Sequence, residues 1–176
     1  MAELLIGCGN HRNKVLHEPG KEGWVALTTL DLDPNCGADV EWDLERMPLP
    51  FPDEKFDEIH AYHVLEHTGR QGDYRFFFAQ FSEFWRLLTP GGLLCLILPT
   101  LDGPWAFGDP GHTRVLPPQI FTFLNQDEYE KQVGITALAD YRHVYRADFE
   151  QVFEHRIDAD QHAFILKAGK PSRCSR

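Results

Sequence analysis

No apolar run in this sequence approaches the roughly 20 residues that a membrane-spanning helix needs. The N-terminal Met1-Ala2-Glu3-Leu4 places no basic residues ahead of a hydrophobic stretch, so neither a span nor a secretory signal is expected. Cysteine is scarce: Cys8, Cys36, Cys95 and Cys174 stand far apart without a C-x-x-C pair. That favours reduced thiols in a cytoplasmic setting over a disulfide framework or a zinc site. Basic charge is short as well, with 17 Lys and Arg against 27 Asp and Glu and a formal net charge of −10. Nucleic-acid binders neutralise phosphates with a basic patch. The one basic cluster here is the tail Lys167, Lys170, Arg173 and Arg176, read as a frayed C-terminus, and nucleic acid is a disfavoured partner. Internal repeats and low-complexity stretches are absent.

What remains is an ordinary globular composition over 176 residues, 43% of them hydrophobic, enough for one domain spanning 1–176 with a real core. Strand-like and helix-like segments alternate, which indicates the α/β class. Leu4-Leu5-Ile6 is a short first strand ending at Gly7. Residues 24–31 form a second, 38–43 a weaker third, and Phe56 to Tyr62 a fourth. Over 73–88, Tyr74, Phe77, Phe78, Phe81, Phe84, Trp85 and Leu88 recur at spacings of three and four, which predicts a helix with one aromatic face packed on the sheet. Thr89-Pro90-Gly91-Gly92 stops it. The unbroken apolar run Leu93–Leu98 then reads as a central parallel strand. Residues 99–135, rich in Pro and Gly, read as a lid-like irregular cover. Residues 149–157 and 161–168 pair as a hairpin across Asp158-Ala159-Asp160.

Gly7-Cys8-Gly9 directly follows the first strand, and glycines there let the backbone approach a ligand that a Cβ would strike. Alone, such a G-x-G also describes a simple turn. A dinucleotide fingerprint would require a third glycine where this chain has Arg12, which argues against a pyrophosphate cofactor. Asp31 ends the second strand 22 residues past Gly9. Its carboxylate is of a kind that accepts hydrogen bonds from both ribose hydroxyls, although a strand-ending Asp is also a common cap. Together, the two signals describe a nucleoside held at the carboxyl ends of neighbouring strands.

The motifs G-C-G (7–9), L-D-L-D-P (30–34), Asp43-Leu44 with Leu49-Pro50-Phe51-Pro52-Asp53, F-D-E-I (56–59), H-V-L-E-H (63–67) and L-T-P-G-G (88–92) occur in that order. As an ordered set over about residues 3–99, they resemble the class I S-adenosylmethionine (SAM)-dependent methyltransferases, most closely the small bacterial and phage members. The resemblance implies a Rossmann-like seven-stranded, mostly parallel sheet with an antiparallel C-terminal edge hairpin and helices on both faces. It also implies SAM as cofactor and S-adenosylhomocysteine as product. By that resemblance Gly7 and Gly9 line the methionine part, Asp31 binds the ribose, and Leu32 lies beside the adenine. Asp43 bonds the adenine amino group, Leu44 packs on the ring, and Tyr62 and His63 face the sulfonium. Two departures stand out: Asn10-His11 replaces the usual third small residue, and Pro19, Gly20 and Gly23 shorten the helix normally found after the glycine loop.

Methyl transfer from a sulfonium is a direct displacement governed by alignment and desolvation. An acceptor hydroxyl or ammonium also needs a base, and His112 in the long segment after the fifth strand is the candidate. The acceptor is not identified. Ala61-Tyr62-His63-Val64 is not the Asn/Asp-Pro-Pro-aromatic signature of amino-methylating DNA enzymes, and the Pro-Cys pair of cytosine-carbon enzymes is missing. A small molecule, a glycan or a protein side chain remains, and oligomeric state is left open. Two other functions stay in view. One is a SAM-binding regulatory or accessory protein without transferase activity. The other is a zinc hydrolase using His63, Glu66 and His67, since H-x-x-E-H in a helix binds zinc in peptidases. Here the motif begins where a strand ends, and no metal is expected.

Overall fold

The computed structural model describes residues 1–174. Seven strands form a single sheet: β1 (Glu3–Ile6), β2 (Leu27–Asp31), β3 (Val40–Glu41), β4 (Phe56–Tyr62), β5 (Leu88–Pro99), β6 (Phe149–Arg156) and β7 (Gln161–Ala168). Their order across the sheet is β3-β2-β1-β4-β5-β7-β6. The first five run parallel, while β7 is antiparallel to both β5 and β6. This is the Rossmann-like sheet with an antiparallel edge hairpin that the motif order implies. Strand order reverses at β1, which pairs with β2 on one side and β4 on the other. Open α/β sheets bind ligands at such a reversal.

Helix α1 (Tyr74–Leu87) begins at Asp73, whose side chain accepts a hydrogen bond from Phe76 N, a standard N-cap. Its Phe77, Phe78, Phe81, Phe84 and Leu87 are buried against Leu4, Ile6, Ile59, Leu94 and Leu96 of the sheet in one continuous core. The predicted aromatic stripe is therefore packing. Thr89 to Gly92 do end the helix, but they do so inside β5. Register passes from Phe56↔Leu88 to Glu58↔Leu93, so the four residues bulge out of the ladder.

The segment 99–135 is less irregular than its composition predicts. It contains the single turn α2 (Trp105–Gly108), a 3₁₀ segment Pro118–Leu124 and α3 (Gln126–Gln132). Phe121, Leu124 and Tyr129 belong to the same core as α1. Only the first part stands away from the core, with Trp105 57% and Phe107 78% exposed. No helix among the described residues is long and apolar enough to cross a membrane, and none of the four cysteines is in a disulfide among those residues.

The opposite face differs from the expected helical cover. Between β1 and β2 the described chain has no helix at all; residues 10–24 run as an irregular strap. Buried polar bonds hold it. The Lys14 ammonium, 2% exposed, donates to Glu3 at 2.5 Å and to Glu58 at 2.6 Å. Glu58 Oε2 also accepts from His60 Nε2 at 2.9 Å, and Tyr62 Oη lies 2.6 Å from His60 Nδ1. With Nε2 protonated, Nδ1 is an acceptor, so the Tyr62 hydroxyl donates to it while accepting from Leu16 N at 3.1 Å. Glu3 Oε2 takes Val25 N at 2.6 Å. Buried charges are tolerated only when paired and hydrogen-bonded in this way.

The basic tail is not frayed over its described residues, and Arg176 lies outside them. Lys170 pairs with Glu54 at 3.3 Å and lies over the Trp85 ring. Arg173 bonds the fully buried Asp148 at 2.6 Å and pairs with Asp127. Lys170 and Arg173 are thus committed to local carboxylates.

His60 and then Lys14 hold the Glu58 carboxyl down at about 2, against an ordinary value of 4.5. A depressed acid stabilises the fold above its unfolded pKa and loses that contribution as pH falls through the folded value. Stability measured by denaturant titration should therefore drop between about pH 4.5 and 2, with roughly 3 kcal/mol of the loss due to this group. In Glu58→Gln that share should vanish, leaving a shallower acid limb on a less stable protein. An acid limb identical to wild type would dissociate the network from acid stability.

Candidate functional site

At the carboxyl ends of β1, β2 and β4 lies a crevice of about 500 Å³, within the usual size of small-molecule sites. Its walls include Gly7, Gly9, Asp31, Leu32, Asp43, Leu44 and His63. The structure thus brings together seven of the eight residues expected to contact a cofactor. Trp42, Glu45, Val64, His67 and Thr68 complete the wall. The sequence marks His67 only as a metal ligand in the H-x-x-E-H reading and assigns the other four no role of their own; they flank Asp43-Leu44 and His63 and enter through the local backbone path.

Each part of the crevice has a local cause. Gly7 has φ +60° and Gly9 φ +46°, the left-handed region that glycine enters without penalty. A Cβ on Gly7 would overlap Val64 Cγ2, whereas one on Gly9 would meet no protein atom. The first glycine lets β1 and the end of β4 approach one another, and the second leaves room for a ligand. Asp31 Oδ2 accepts from Gly9 N at 2.7 Å and Oδ1 from Asp33 N at 2.9 Å. Its carboxylate thereby ties the glycine loop to the end of β2, with lone pairs to spare. Arg12 braces the loop from outside, donating to Gly9 O at 2.5 Å and Cys36 O at 2.9 Å. Leu32 is exposed at 63%, while Leu44 is part of the core at 7%.

Tyr62 is the exception among the expected residues. Alternation along β4 puts it with His60 on the strap side, where its hydroxyl is used by His60 and Leu16 and its ring packs near Leu5, Cys8 and Cys36. It does not line the crevice. His63, one residue on, adopts φ +51°, a strained conformation for a side-chain-bearing residue, and that turn aims it into the crevice.

A second chamber of about 350 Å³ adjoins the first and shares His63 and His67 with it. Glu66, Asp109, His112, Asp160, Gln161, Pro99 and Trp105 form its other walls. The H-V-L-E-H run crosses from the end of β4 into a 3₁₀ turn, Leu65–His67, so its histidines do not share one face of an α-helix as the zinc-peptidase reading requires. Instead, His63 Nδ1 lies 3.5 Å and His112 Nε2 4.0 Å from Glu66 Oε1. The Glu66 carboxylate favours the charged form of His63 and raises its pKa. His112 is not a free loop histidine: its side chain is 7% exposed and faces Glu66. The lid carrying it is stitched to the 3₁₀ turn by Thr113 N to Glu66 O at 2.9 Å and Arg114 Nε to Leu65 O at 2.9 Å. Arg114 also donates to Thr68 Oγ1 and to the side-chain Oε1 of Gln80. Burial pulls its pKa down to about 10, which leaves it charged at neutral pH.

A family model described as a methyltransferase domain matches residues 4–96, just over half the chain and the part that builds the crevice. A comparison with curated proteins returns no match. Among solved structures, a SAM-dependent methyltransferase from Archaeoglobus fulgidus is 16% identical, with a TM-score of 0.57 over 94% of this chain and 86% of that one. One from Methanosarcina mazei is 15% identical, with a TM-score of 0.53 over 96% and 92%. A Haloferax volcanii protein solved in complex with the Trm112 methyltransferase activator is 12% identical, with a TM-score of 0.53 over 96% and 82%. Identities this low establish a shared fold.

The close approach at Gly7 is open to test. Gly7→Ala should cost both the strained φ and the overlap with Val64, about 2 kcal/mol or more by chemical denaturation. Gly7→Ala/Val64→Ala should recover the overlap share only, so the double mutant would be more stable than the sum of the two single changes predicts. Strict additivity would show that the two residues are not in contact.

Proposed function

The chain belongs to the methyltransferase domain family, and from that premise we propose that it transfers the methyl group of SAM, bound in the crevice, to an acceptor in the adjoining chamber. The observation that carries this reading is the convergence of two side-chain-free positions, Gly7 and Gly9, with the Asp31 carboxylate on one cavity at the strand-order reversal. The backbone at Gly7 and Gly9 faces the methionine part. Asp31 takes the ribose hydroxyls, and Leu32 and Leu44 flank the adenine, with Asp43 placed for its amino group. His63 stands at the boundary between crevice and chamber, where the sulfonium methyl leaves one for the other.

Because the leaving group is a neutral thioether, the displacement requires mainly that acceptor atom, methyl carbon and sulfur lie in line, away from water. The chamber provides that place, and its imidazoles and carboxylates receive the acceptor's proton. His112 is the buried imidazole among them. The carboxylates of Glu66, Asp109 and Asp160 on the chamber wall, in a chain of net charge −10, oppose a polyanionic acceptor. A small molecule or a neutral or cationic side chain fits that lining better.

Calorimetry with SAM, S-adenosylhomocysteine and NAD tests the cofactor assignment. SAM and its product should bind and NAD should not. Asp31→Ala should weaken SAM at least tenfold, since a carboxylate accepting from two hydroxyls contributes on the order of 1.5–3 kcal/mol. Tight NAD binding would overturn the assignment. For the chamber, His112→Ala should keep the SAM affinity and lower turnover at least tenfold with any acceptor found. Unchanged turnover would remove His112 from the mechanism.

A further inference from the structure

Glu66 is 2% exposed, yet neither of its carboxylate oxygens has a hydrogen-bond partner. Its own backbone carbonyl is well used, by Thr113, so the orphaned group is the side chain alone. His112 Nδ1 and Asp160 Oδ1, on the same chamber, are buried and unpartnered too. An ionised carboxylate held away from water without donors costs several kcal/mol, and proteins meet that cost with a paired cation or a metal. The neighbouring imidazoles stand off at 3.5 and 4.0 Å, beyond good hydrogen-bond length. The longer of these is the kind of gap a bridging ion leaves: ligand atoms bonded at about 2.1 Å to one cation lie roughly 3–4 Å apart.

We propose that Glu66, His67 and His112 form a binding site for one divalent first-row transition-metal ion that opens onto the acceptor chamber. One ligand atom from each lies within 4.8 Å of the other two. His67 is already oriented for this. Its Nδ1 lies 3.2 Å from Gly111 O, and a carbonyl can only accept, so Nδ1 carries the proton and Nε2 keeps its lone pair. Metal-bound histidines are held by just such a second hydrogen bond. Gly111 permits it, since a Cβ there would press on the His67 ring at 3.1 Å. Two imidazoles and one carboxylate suit zinc, iron, manganese or cobalt better than magnesium or calcium, which prefer all-oxygen shells.

The described residues contain a second cluster with metal-ligand chemistry, Cys8, Asp31 and Cys36, and it is the weaker competitor. Burial pushes the Cys8 thiol up to about 11, away from the thiolate a metal needs. Asp31 already accepts from two backbone amides.

Three protein ligands leave coordination positions free, as in catalytic rather than structural sites. The inference rests on the acceptor-chamber reading in one respect: the free positions face the place where the methyl group arrives. With the ion bound, His112 is a ligand and no longer the base; a hydroxyl acceptor bound there loses its proton more easily and passes it to Asp109, Asp160 or water. An oxygen lone pair then forms the bond to the methyl carbon while the carbon–sulfur pair returns to sulfur.

The untagged chain, stripped with chelator, should take up one equivalent of Zn²⁺ in calorimetry and show Co²⁺ d–d absorption without a thiolate charge-transfer band. Glu66→Gln and His112→Ala, each checked for native circular dichroism, should weaken Zn²⁺ at least a hundredfold, while Cys36→Ser should not alter it. Acetohydroxamate added to the Co²⁺ form should shift the d–d bands, reporting a free position. Absence of binding, binding indifferent to Glu66→Gln and His112→Ala, or loss in Cys36→Ser would each overturn the site. Bands unmoved by hydroxamate would overturn its opening to an acceptor. A chain that binds SAM but no cation would defeat this proposal alone, and one that binds the cation but no SAM would defeat the cofactor assignment instead.

Discussion

The buried Lys14 ammonium between Glu3 and Glu58 is the constraint on which the rest of the molecule depends. A Rossmann-like sheet needs cover on both faces, and between β1 and β2 this chain supplies no helix to give it. An irregular strap cannot satisfy its own backbone, so its polar groups must be bonded to something else. Glu3 on β1 and Glu58 on β4 sit side by side in the register and present two carboxylates to the strap. Lys14 neutralises one charge, His60 and Tyr62 extend the chain of donors to Leu16 N, and Val25 N closes it on Glu3. Trp24 adds an edge-on contact with His60 and donates to Arg12 O. Arg12 in turn grips the glycine loop. The shape of the crevice is thereby tied to a polar cluster on the far side of β1.

Much of the fold was legible because its strongest signals are local. The β4 limits, the Tyr74–Leu87 helix within one residue at each end, and the hairpin across 158–160 all follow from apolar periodicity and turn residues. The strap was half legible. Pro19, Gly20 and Gly23 argue against a helix, but nothing local tells that Lys14 reaches two carboxylates, one of them 44 positions away. The segment 99–135 misleads for a related reason. Its prolines break regular structure, yet Phe121, Leu124 and Tyr129 bury themselves in the core shared with α1. Proline and glycine content reports backbone regularity, not distance from the core.

The crevice was legible where the groups that line it are small or charged and lie at strand ends. Tyr62 shows the limit of that reasoning. Being at the end of a strand places a residue near the site, but strand alternation decides which face it serves, and Tyr62 falls with His60 on the strap side. The chamber was the least legible part. Glu66 and His67 stand 46 and 45 residues from His112, and their meeting depends on the lid's path. Backbone bonds from Thr113 and Arg114 to the 3₁₀ turn fix that path, and spacing along the chain carries no trace of them.

One stretch of backbone, from Tyr62 to Thr68, serves three structures at once. Tyr62 secures the strap, His63 and His67 belong to both cavities, and Leu65 and Glu66 carry the carbonyls that hold the lid. Such sharing explains why His63 keeps a left-handed backbone despite its side chain. The chain must turn immediately after β4 so that Tyr62 stays under the strap while the next residue enters the crevice, and a relaxed extended residue would carry the strand onward. Strain of this kind persists only where surrounding contacts overdetermine it, and here they do: the His63 amide donates to Ile97 O at 2.9 Å, and Val64 fills the space left by Gly7. The Leu65 and Glu66 carbonyls that bond Arg114 and Thr113 belong to the same turn as the wall the two cavities share. The two cavities are joined through covalent neighbours, not through a long chain of packed side chains.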